Sequence, residues 1–354
     1  MEDLSVREHP GMHRYAPVHG LPPLIDRIVE IERAKTGLAL ERDQVLMTAG
    51  ATGGLGCAIG AILEPGEEVL ILAPYWPLIE GIVRSFHGVP VPVPVLAGEV
   101  SSAEEAVAAV QARLTPRTVA LYLSSPNNPT GRLLPRGWVE ALVDWAARND
   151  LWILSDEVYE ALCYRAEHVR LLSLAPDRTF LAQTFSKCFG MAGNRCGYVV
   201  GPRGVMEALR KVATHTFYAA PTAAQIAALR ALEGPGTRWV EHARKQYFQT
   251  AEAVAQMLRL PTPEGSTFFF FDLAAYQVAA NLEGFLEDCV ARGVLLAPGP
   301  SFGPYPRHVR LCYTAVAPDR TLRGVRIVAE LLGISQRNDA GSGPLFGFDR
   351  KGVS

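Results

Sequence analysis

Short apolar runs of strand length alternate with longer amphipathic segments through the first two thirds of this chain. Polar and glycine residues collect just after the apolar runs. QVLMTAG (44–50) reads as a buried strand, and ATGGLGCAIGAIL follows it as a helix. EVLILA (68–73) is the next strand and PLIEGIVRSF the next helix. VPVPVPV (89–95) is extended, and prolines, which cannot donate to a ladder, suit a sheet edge. SSAEEAVAAVQARL (101–114) predicts a helix opened by a capping box from Ser102 to Glu105. TVALYLSS, LWILSD, TFLAQTF and CGYVVG are further strands, with a helix over 135–149 between the first two. Such alternation implies an α/β fold: a mostly parallel sheet covered by helices on both faces.

The pattern changes after about Gly234. A long helix (237–260) precedes the strand-like STFFFFDL. A helix near 282–292, the strands VLLAPG and HVRLCYT, and a last helix near 318–332 complete a smaller α+β unit. The expected division is a large domain over 16–235 and a small C-terminal domain over 236–334. Residues 1–15 would pack on the small domain or on a partner subunit. Residues 335–354 read as a flexible polar tail in which Leu345, Phe346 and Phe348 could dock.

Hydrophobic residues at 49% allow a sizeable core, and charged residues at 20% exclude a mostly disordered chain. A net charge of −2 points to neither nucleic acid nor an anionic membrane surface. The six cysteines form no C-x-x-C pair or zinc-ligand spacing, so a reducing compartment is expected. The N-terminus lacks a hydrophobic signal core, and no apolar run approaches the roughly 18 residues of a membrane span. The expectation is a soluble cytoplasmic protein.

Open α/β sheets bind ligands at the carboxyl ends of their strands. The first such end is TAGATGGLG (48–56), a strand, a small-residue turn and a helix start. The N–H groups of Ala51 and Thr52 there could hold a phosphate, aided by the helix dipole. A tight turn needing glycine for packing is the other reading. A dinucleotide fold would want an acidic ribose partner after the second strand, and that strand runs instead into Ala73-Pro74-Tyr75-Trp76. Tyr75 and Trp76 could stack on a flat heterocycle or simply cap the core. SSPNNPTG (124–131) sets two asparagines between prolines, a fixed loop rich in amide donors. Asp156 ends an apolar strand, where a carboxylate is costly unless paired. It could hold a proton on a heteroaromatic nitrogen, or cap a helix. In QTFSKCFGMAGNRCGY (183–198), Lys187 follows a strand and Arg195 precedes the next. A partly desolvated lysine suits Schiff-base chemistry, and arginine suits a phosphate.

Together GATGG, PYW, SPNNPTG, SDEVY and TFSKCFGMAGNRCGY, in this order and spacing, resemble the class I/II aminotransferases, the fold-type-I pyridoxal-phosphate enzymes. The resemblance runs from about Tyr15 to about Leu332. It implies pyridoxal 5′-phosphate as cofactor, bound by the large domain. Lys187 would form the internal aldimine and shuttle the proton between the substrate Cα and the cofactor. Asp156 would pair with the pyridinium nitrogen, and Asn128 and Tyr159 would hydrogen-bond the phenolic oxygen. Trp76 would stack on the ring. Ala51, Thr52, Thr184, Ser186 and Arg195 would hold the phosphate, with Tyr15 reaching across a homodimer interface. Arg310 would grip the substrate α-carboxylate, beside Asn128 and Trp76.

The family normally carries several dozen residues before the position of Tyr15, including a loop that covers the substrate. Here fourteen precede it, so the expectation is a late-assigned start or a more open pocket. Members acting on acidic substrates often add an arginine or lysine for the distal carboxylate. The segment THTFYAAPTAAQ (214–225) resembles the loop that can supply it, and contains none. Thr52 also stands where some members have lysine. With Tyr75, Phe217 and Tyr218, this favours a neutral or aromatic amino acid over an acidic one, exchanging with a 2-keto acid. A lyase, cyclase or decarboxylase on the same scaffold is the alternative. A regulatory or binding module that kept the fold is a third reading, disfavoured because such relatives usually add a DNA-binding segment, for which neither room nor basic charge is expected here.

Overall fold

The computed structural model describes residues 7–276 and 281–334, so the expected tail over 335–354 and its three apolar residues lie outside the described part. The apolar runs of the first part become β1 (Val45–Thr48), β2 (Glu68–Ala73), β3 (Val89–Pro94), β4 (Thr118–Ser124), β5 (Trp152–Asp156), β6 (Thr179–Thr184) and β7 (Gly197–Val200). They form one seven-stranded sheet in the order β1-β7-β6-β5-β4-β2-β3. All run parallel except β7, which is antiparallel to both neighbours. The proline-bearing β3 lies at the edge, as its missing N–H groups require.

The helices are α1 (Pro22–Thr36), α2 (Gly50–Ile62), α3 (Leu78–Ser85), α4 (Ala103–Gln111), α5 (Arg136–Arg148), the short α6 (Leu171–Leu174), α7 (Met206–Thr216), α8 (Thr222–Leu232), α9 (Pro235–Leu258), α10 (Leu282–Ala291) and α11 (Pro318–Leu331). On one sheet face, Leu55 and Ile59 of α2, Ile79 of α3 and Leu209 of α7 pack on Val69, Ile71 and Tyr122. On the other, Val110 of α4 and Leu142 of α5 pack on Leu70, Leu121 and Ile153. The alternation of strand side chains across the sheet produces these two cores from one set of strands.

Helices α1, α7 and α8 were not singled out above. Helix α1 was legible: it buries Leu24, Ile25, Ile28 and Val29 on one stripe and ends at Gly37, whose φ of 74° closes the last turn onto the Arg33 carbonyl. At α4, the Ser102 hydroxyl accepts the Glu105 N–H at 3.2 Å. The Glu105 carboxylate turns back to the Ser101 N–H at 2.7 Å, one residue earlier than the expected box.

A second, antiparallel sheet has the order β8-β10-β9, from β8 (Phe268–Asp272), β9 (Ala297–Pro298) and β10 (His308–Cys312). With α9, α10 and α11 it encloses a core around Phe269, Phe285, Val309 and Val325. The expected strand VLLAPG shrinks to the two paired residues Ala297 and Pro298, after which Gly299 opens a 3-10 turn. Among the described residues no helix is long and apolar enough to cross a membrane.

Candidate active site

Strands β2 and β4 are neighbours, yet the chain leaves them in opposite directions across the sheet, β2 to β3 and β4 to β5. A crevice opens outside the carboxyl ends of strands at such a reversal. It is a cavity of about 550 Å³, open to solvent. Trp76 enters it from beyond β2, Asn128 from beyond β4, and Asp156 and Tyr159 from the end of β5. Thr184, Ser186 and Lys187 come from the end of β6, Ala51 and Thr52 from the start of α2, and Arg195 from before β7. Leu55, Val158 and Ala192 also line it and were not foreseen.

One end of the cavity is a cradle of donors. Helix α2 begins at Gly50 with no side-chain cap, so the N–H groups of its first turn have no side-chain partner there. Arg195, itself at φ 51°, donates from Nη2 to the Ala49 carbonyl (3.2 Å) and from Nη1 to the Ala192 carbonyl (3.0 Å) and Ser186 Oγ (3.3 Å). The Thr184 hydroxyl lies 2.9 Å from that of Ser186. Two glycines make the approach possible. A Cβ on Gly50 would sit 2.6 Å from Arg195 Nη2, and one on Gly197 would sit 2.5 Å from the Gln183 carbonyl. Helix N–H groups, two hydroxyls and a guanidinium are the donor set that a phosphate dianion requires.

At the other end, Asp156 is buried, and its pKa is pushed up to about 6. Burial dominates that shift. It is opposed by hydrogen bonds from the Tyr122 hydroxyl (2.7 Å) and the Val158 N–H (3.4 Å), and by the nearby Lys187. A buried carboxylate whose charge is only partly compensated in this way suits a cationic N–H partner. Lys187 faces the open cavity, its Nζ 5.8 Å from the centre of the Tyr159 ring. Its ammonium pKa is lowered, chiefly by loss of solvent and further by Arg195 and Arg310, while Asp156 opposes the change. A lysine so placed reaches its nucleophilic neutral form more readily than a solvated one. Burial also raises the Tyr159 phenol, which therefore stays a donor.

Arg310 of β10 does not line the cavity but reaches its edge. Its Nη1 donates to Asn128 Oδ1 at 3.0 Å, and its guanidinium lies 4.3 Å from the Phe268 ring centre and 4.7 Å from that of Phe302. Its Nε is buried without a hydrogen-bond partner. Asn127 has the structural task in the asparagine pair. It donates to the Pro74 carbonyl (3.1 Å) and accepts from the Thr130 N–H and hydroxyl, tying this loop to the end of β2. Tyr75 stays out of the cavity: its ring is buried and its hydroxyl bonds Glu80. Phe217 packs by the Gly53 position of α2. Tyr15 is 87% exposed, away from this cavity, with its ring edge-on to Tyr218 at 5.2 Å.

The fold is that of the pyridoxal-phosphate-dependent aminotransferases, and the donor cradle, buried carboxylate and pocket lysine are in keeping with that class. The sequence model of the family described as aminotransferase class I and II matches residues 2–326. The chain belongs to that family. It is 34% identical over 332 residues to the aspartate/prephenate aminotransferase of Thermus thermophilus, covering 91% of this chain and 84% of that protein. It is 36% identical over 313 residues to an arginine–pyruvate transaminase of Pseudomonas aeruginosa, covering 85% and 78%. The solved structure of the Thermus thermophilus aspartate aminotransferase with maleate superposes with a TM-score of 0.85 at 33% identity, over 92% of this chain and 85% of that one.

Proposed function

We propose that this aminotransferase exchanges an amino group between a neutral or aromatic α-amino acid and a 2-keto acid, with pyridoxal 5′-phosphate held in the cavity described above. The observation that carries this reading is the convergence of Lys187, Asp156, Asn128 and Arg195 on one cavity, with Arg310 bonded to Asn128 at its edge. When bound, the cofactor supplies an electron sink that acidifies the Cα–H bond of the amino acid. Lys187 would hold the cofactor through its amine, and the same amine would move the proton at Cα. Asp156 accepts from the pyridinium N–H. Ala51, Thr52, Thr184, Ser186 and Arg195 hold the phosphate, and Trp76 covers the ring. Asn128 gives its oxygen to Arg310, so its amide nitrogen is free to donate, with the Tyr159 hydroxyl, to the phenolic oxygen. Arg310, fixed between two aromatic rings, grips the α-carboxylate through its planar fork.

The substrate preference is supported by charge. Lys187 and Arg195 are the cations lining the cavity, and among the described residues no third joins them for a distal carboxylate. Residues 16–235 serve as the cofactor-binding domain and 236–334 as the smaller domain, a division supported by the separate core around the three-stranded sheet. The enzyme works as a homodimer in which Tyr15 of each subunit serves the phosphate site of the other, in keeping with its exposure.

The test is the visible spectrum of the reconstituted protein during addition of single amino acids, each followed by a keto acid. Colour that bleaches with a neutral or aromatic donor and returns with the keto acid is expected. A colour change that never cycles would favour the lyase, cyclase or decarboxylase reading. Faster bleaching by aspartate or glutamate than by any neutral donor would refute the substrate preference.

A further inference from the structure

Strand β4 carries one tyrosine among aliphatic residues, and its position is unusual for a phenol. Tyr122 pairs in register with Leu154 of β5 on one side and Ile71 of β2 on the other, and none of its surface is exposed. Two residues on, Ser124 pairs with Asp156. In a strand, residues two apart share a face, so the Tyr122 ring runs under the sheet toward the carboxylate. Its hydroxyl donates to Asp156 Oδ2 at 2.7 Å. A phenylalanine would fill the same space without a hydroxyl to desolvate, so packing alone does not ask for tyrosine here.

The hydroxyl has two effects on the carboxylate. It takes one oxygen, Oδ2, in a short bond. The other, Oδ1, accepts a long contact from the Val158 N–H at 3.4 Å and so retains acceptor capacity. It also favours the charged form, because a donor to a carboxylate stabilises the anion. The phenol cannot reverse this role by ionising, since burial and the adjacent Asp156 raise its own pKa well above the usual value. Other groups act on Asp156 as well. Lys187, beyond β6, favours its charge, and Glu157, next in the chain, opposes it. The Tyr159 phenol, following β5, is neutral. Among these, Tyr122 is the one hydrogen-bond donor from a side chain.

We propose that Tyr122 is a positioning residue for the reaction: its buried hydroxyl orients the Asp156 carboxylate and keeps it ionised, so that Asp156 can accept from the pyridinium N–H of the cofactor. The proposal rests on the cofactor reading given above. The experiment measures pyridoxal-phosphate affinity of the apoenzyme by equilibrium dialysis from pH 5 to pH 9, for wild type, Tyr122→Phe, Asp156→Asn and the double variant. Wild-type affinity is expected to fall with acid as Asp156, its pKa raised to about 6 by burial, takes up a proton. In Tyr122→Phe the midpoint of that fall moves up, and affinity at pH 6 drops by roughly tenfold, the loss of one hydrogen bond to a charged group. Wild type and variant converge at alkaline pH, where Asp156 is ionised in both. In the Asp156→Asn background the same substitution has no further effect.

A purely structural tyrosine would instead lower affinity equally at every pH and in both backgrounds, and that pattern overturns the proposal. An unmoved midpoint in Tyr122→Phe, with affinity weakened in Asp156→Asn, overturns the role of Tyr122 alone. An Asp156→Asn protein that binds the cofactor as wild type does overturns the role of Asp156 and that of Tyr122 with it. Should Tyr122→Phe be poorly folded, Tyr122→Trp offers an indole N–H from the same buried site. Partial restoration of the wild-type midpoint by that variant is expected, and its absence in a folded protein counts against the proposal.

Discussion

Gly50→Ala tests the proposed cofactor cradle apart from the rest of the fold. Gly50 sits at φ 72°, where an L side chain costs about 1 kcal/mol of backbone strain. The added methyl would lie 2.6 Å from Arg195 Nη2 and 3.2 Å from its Cζ, so the guanidinium must move. It then gives up its bond to the Ala49 carbonyl and its place beside Ser186. If that costs the phosphate one charge-assisted hydrogen bond, the loss is about 1.5–3 kcal/mol, or roughly 10- to 100-fold in cofactor Kd. Stability without cofactor falls by only about 1 kcal/mol, since Arg195 is a surface side chain free to find water. Gly56→Ala, in the same helix, is the control. Nothing lies within 4 Å of its added methyl, and alanine raises helix stability there by up to about 1 kcal/mol. Equilibrium dialysis of pyridoxal phosphate and thermal unfolding of the apo-protein measure the two quantities. A Gly50→Ala protein with wild-type cofactor affinity would show that Arg195 and the start of α2 do not hold the phosphate.

Lys187→Ala should abolish covalent capture of the cofactor while leaving unfolding of the apo-protein nearly unchanged; an adduct that borohydride still fixes in this variant would remove Lys187 from its role. Arg310→Ala should raise the amino-acid concentration needed for half-saturation by at least about 30-fold, the cost of truncating one partner of a buried charge pair, with cofactor affinity retained. Unchanged saturation with the best donor would exclude Arg310 as the anchor. Glu157→Gln should destabilise the fold by about 3 kcal/mol at pH 7, because it removes a charge from a buried network. The folded-state pKa of Glu157 is lowered, so its contribution is present above the ordinary value of 4.5 and lost as pH falls through the lower one. Denaturant unfolding at pH 7 and pH 3 should therefore show the difference between variant and wild type shrinking in acid.

Much of this architecture was legible because the large sheet is buried on both faces. Its strands must then be continuous apolar runs, and EVLILA became β2 residue for residue. The polar residues at strand ends were equally plain, since a carboxylate or lysine closing an apolar run needs a reason to be there. What sequence withheld was which neighbours come from distant segments. Arg310 meets Asn128 across 182 positions, and Phe302 joins it from a separate turn. Tyr122 had a local signal, a polar atom in an aliphatic strand, but only the pairing of β4 with β5 shows what its hydroxyl touches. Tyr75 and Trp76 are adjacent and chemically alike, yet one is buried against Glu80 and the other lines the cavity.

The SDEVY segment shows the same limit in its charges. Asp156 and Glu157 are consecutive, and successive residues at a strand end point to opposite sides. Asp156 turns to the cavity, where one phenol and a lysine only partly offset its burial, and its pKa rises. Glu157 is fully buried on the other side, with His168 at 2.7 Å, Arg170 at 3.6 Å and the Ser155 hydroxyl at 2.8 Å, and its pKa falls despite the greater burial. Arg170 also bonds Glu160 and lies 3.6 Å from Glu32 of α1, which accepts from the Tyr198 hydroxyl. Fixed charges thus clamp the backbone at 157 to α1 and β7. The residue before it can then keep an under-compensated carboxylate in the cavity, since its backbone is anchored by its neighbour. One strand end divides the work between two acids: Glu157 is held charged by fixed partners, and Asp156 faces the cavity with its pKa raised by burial.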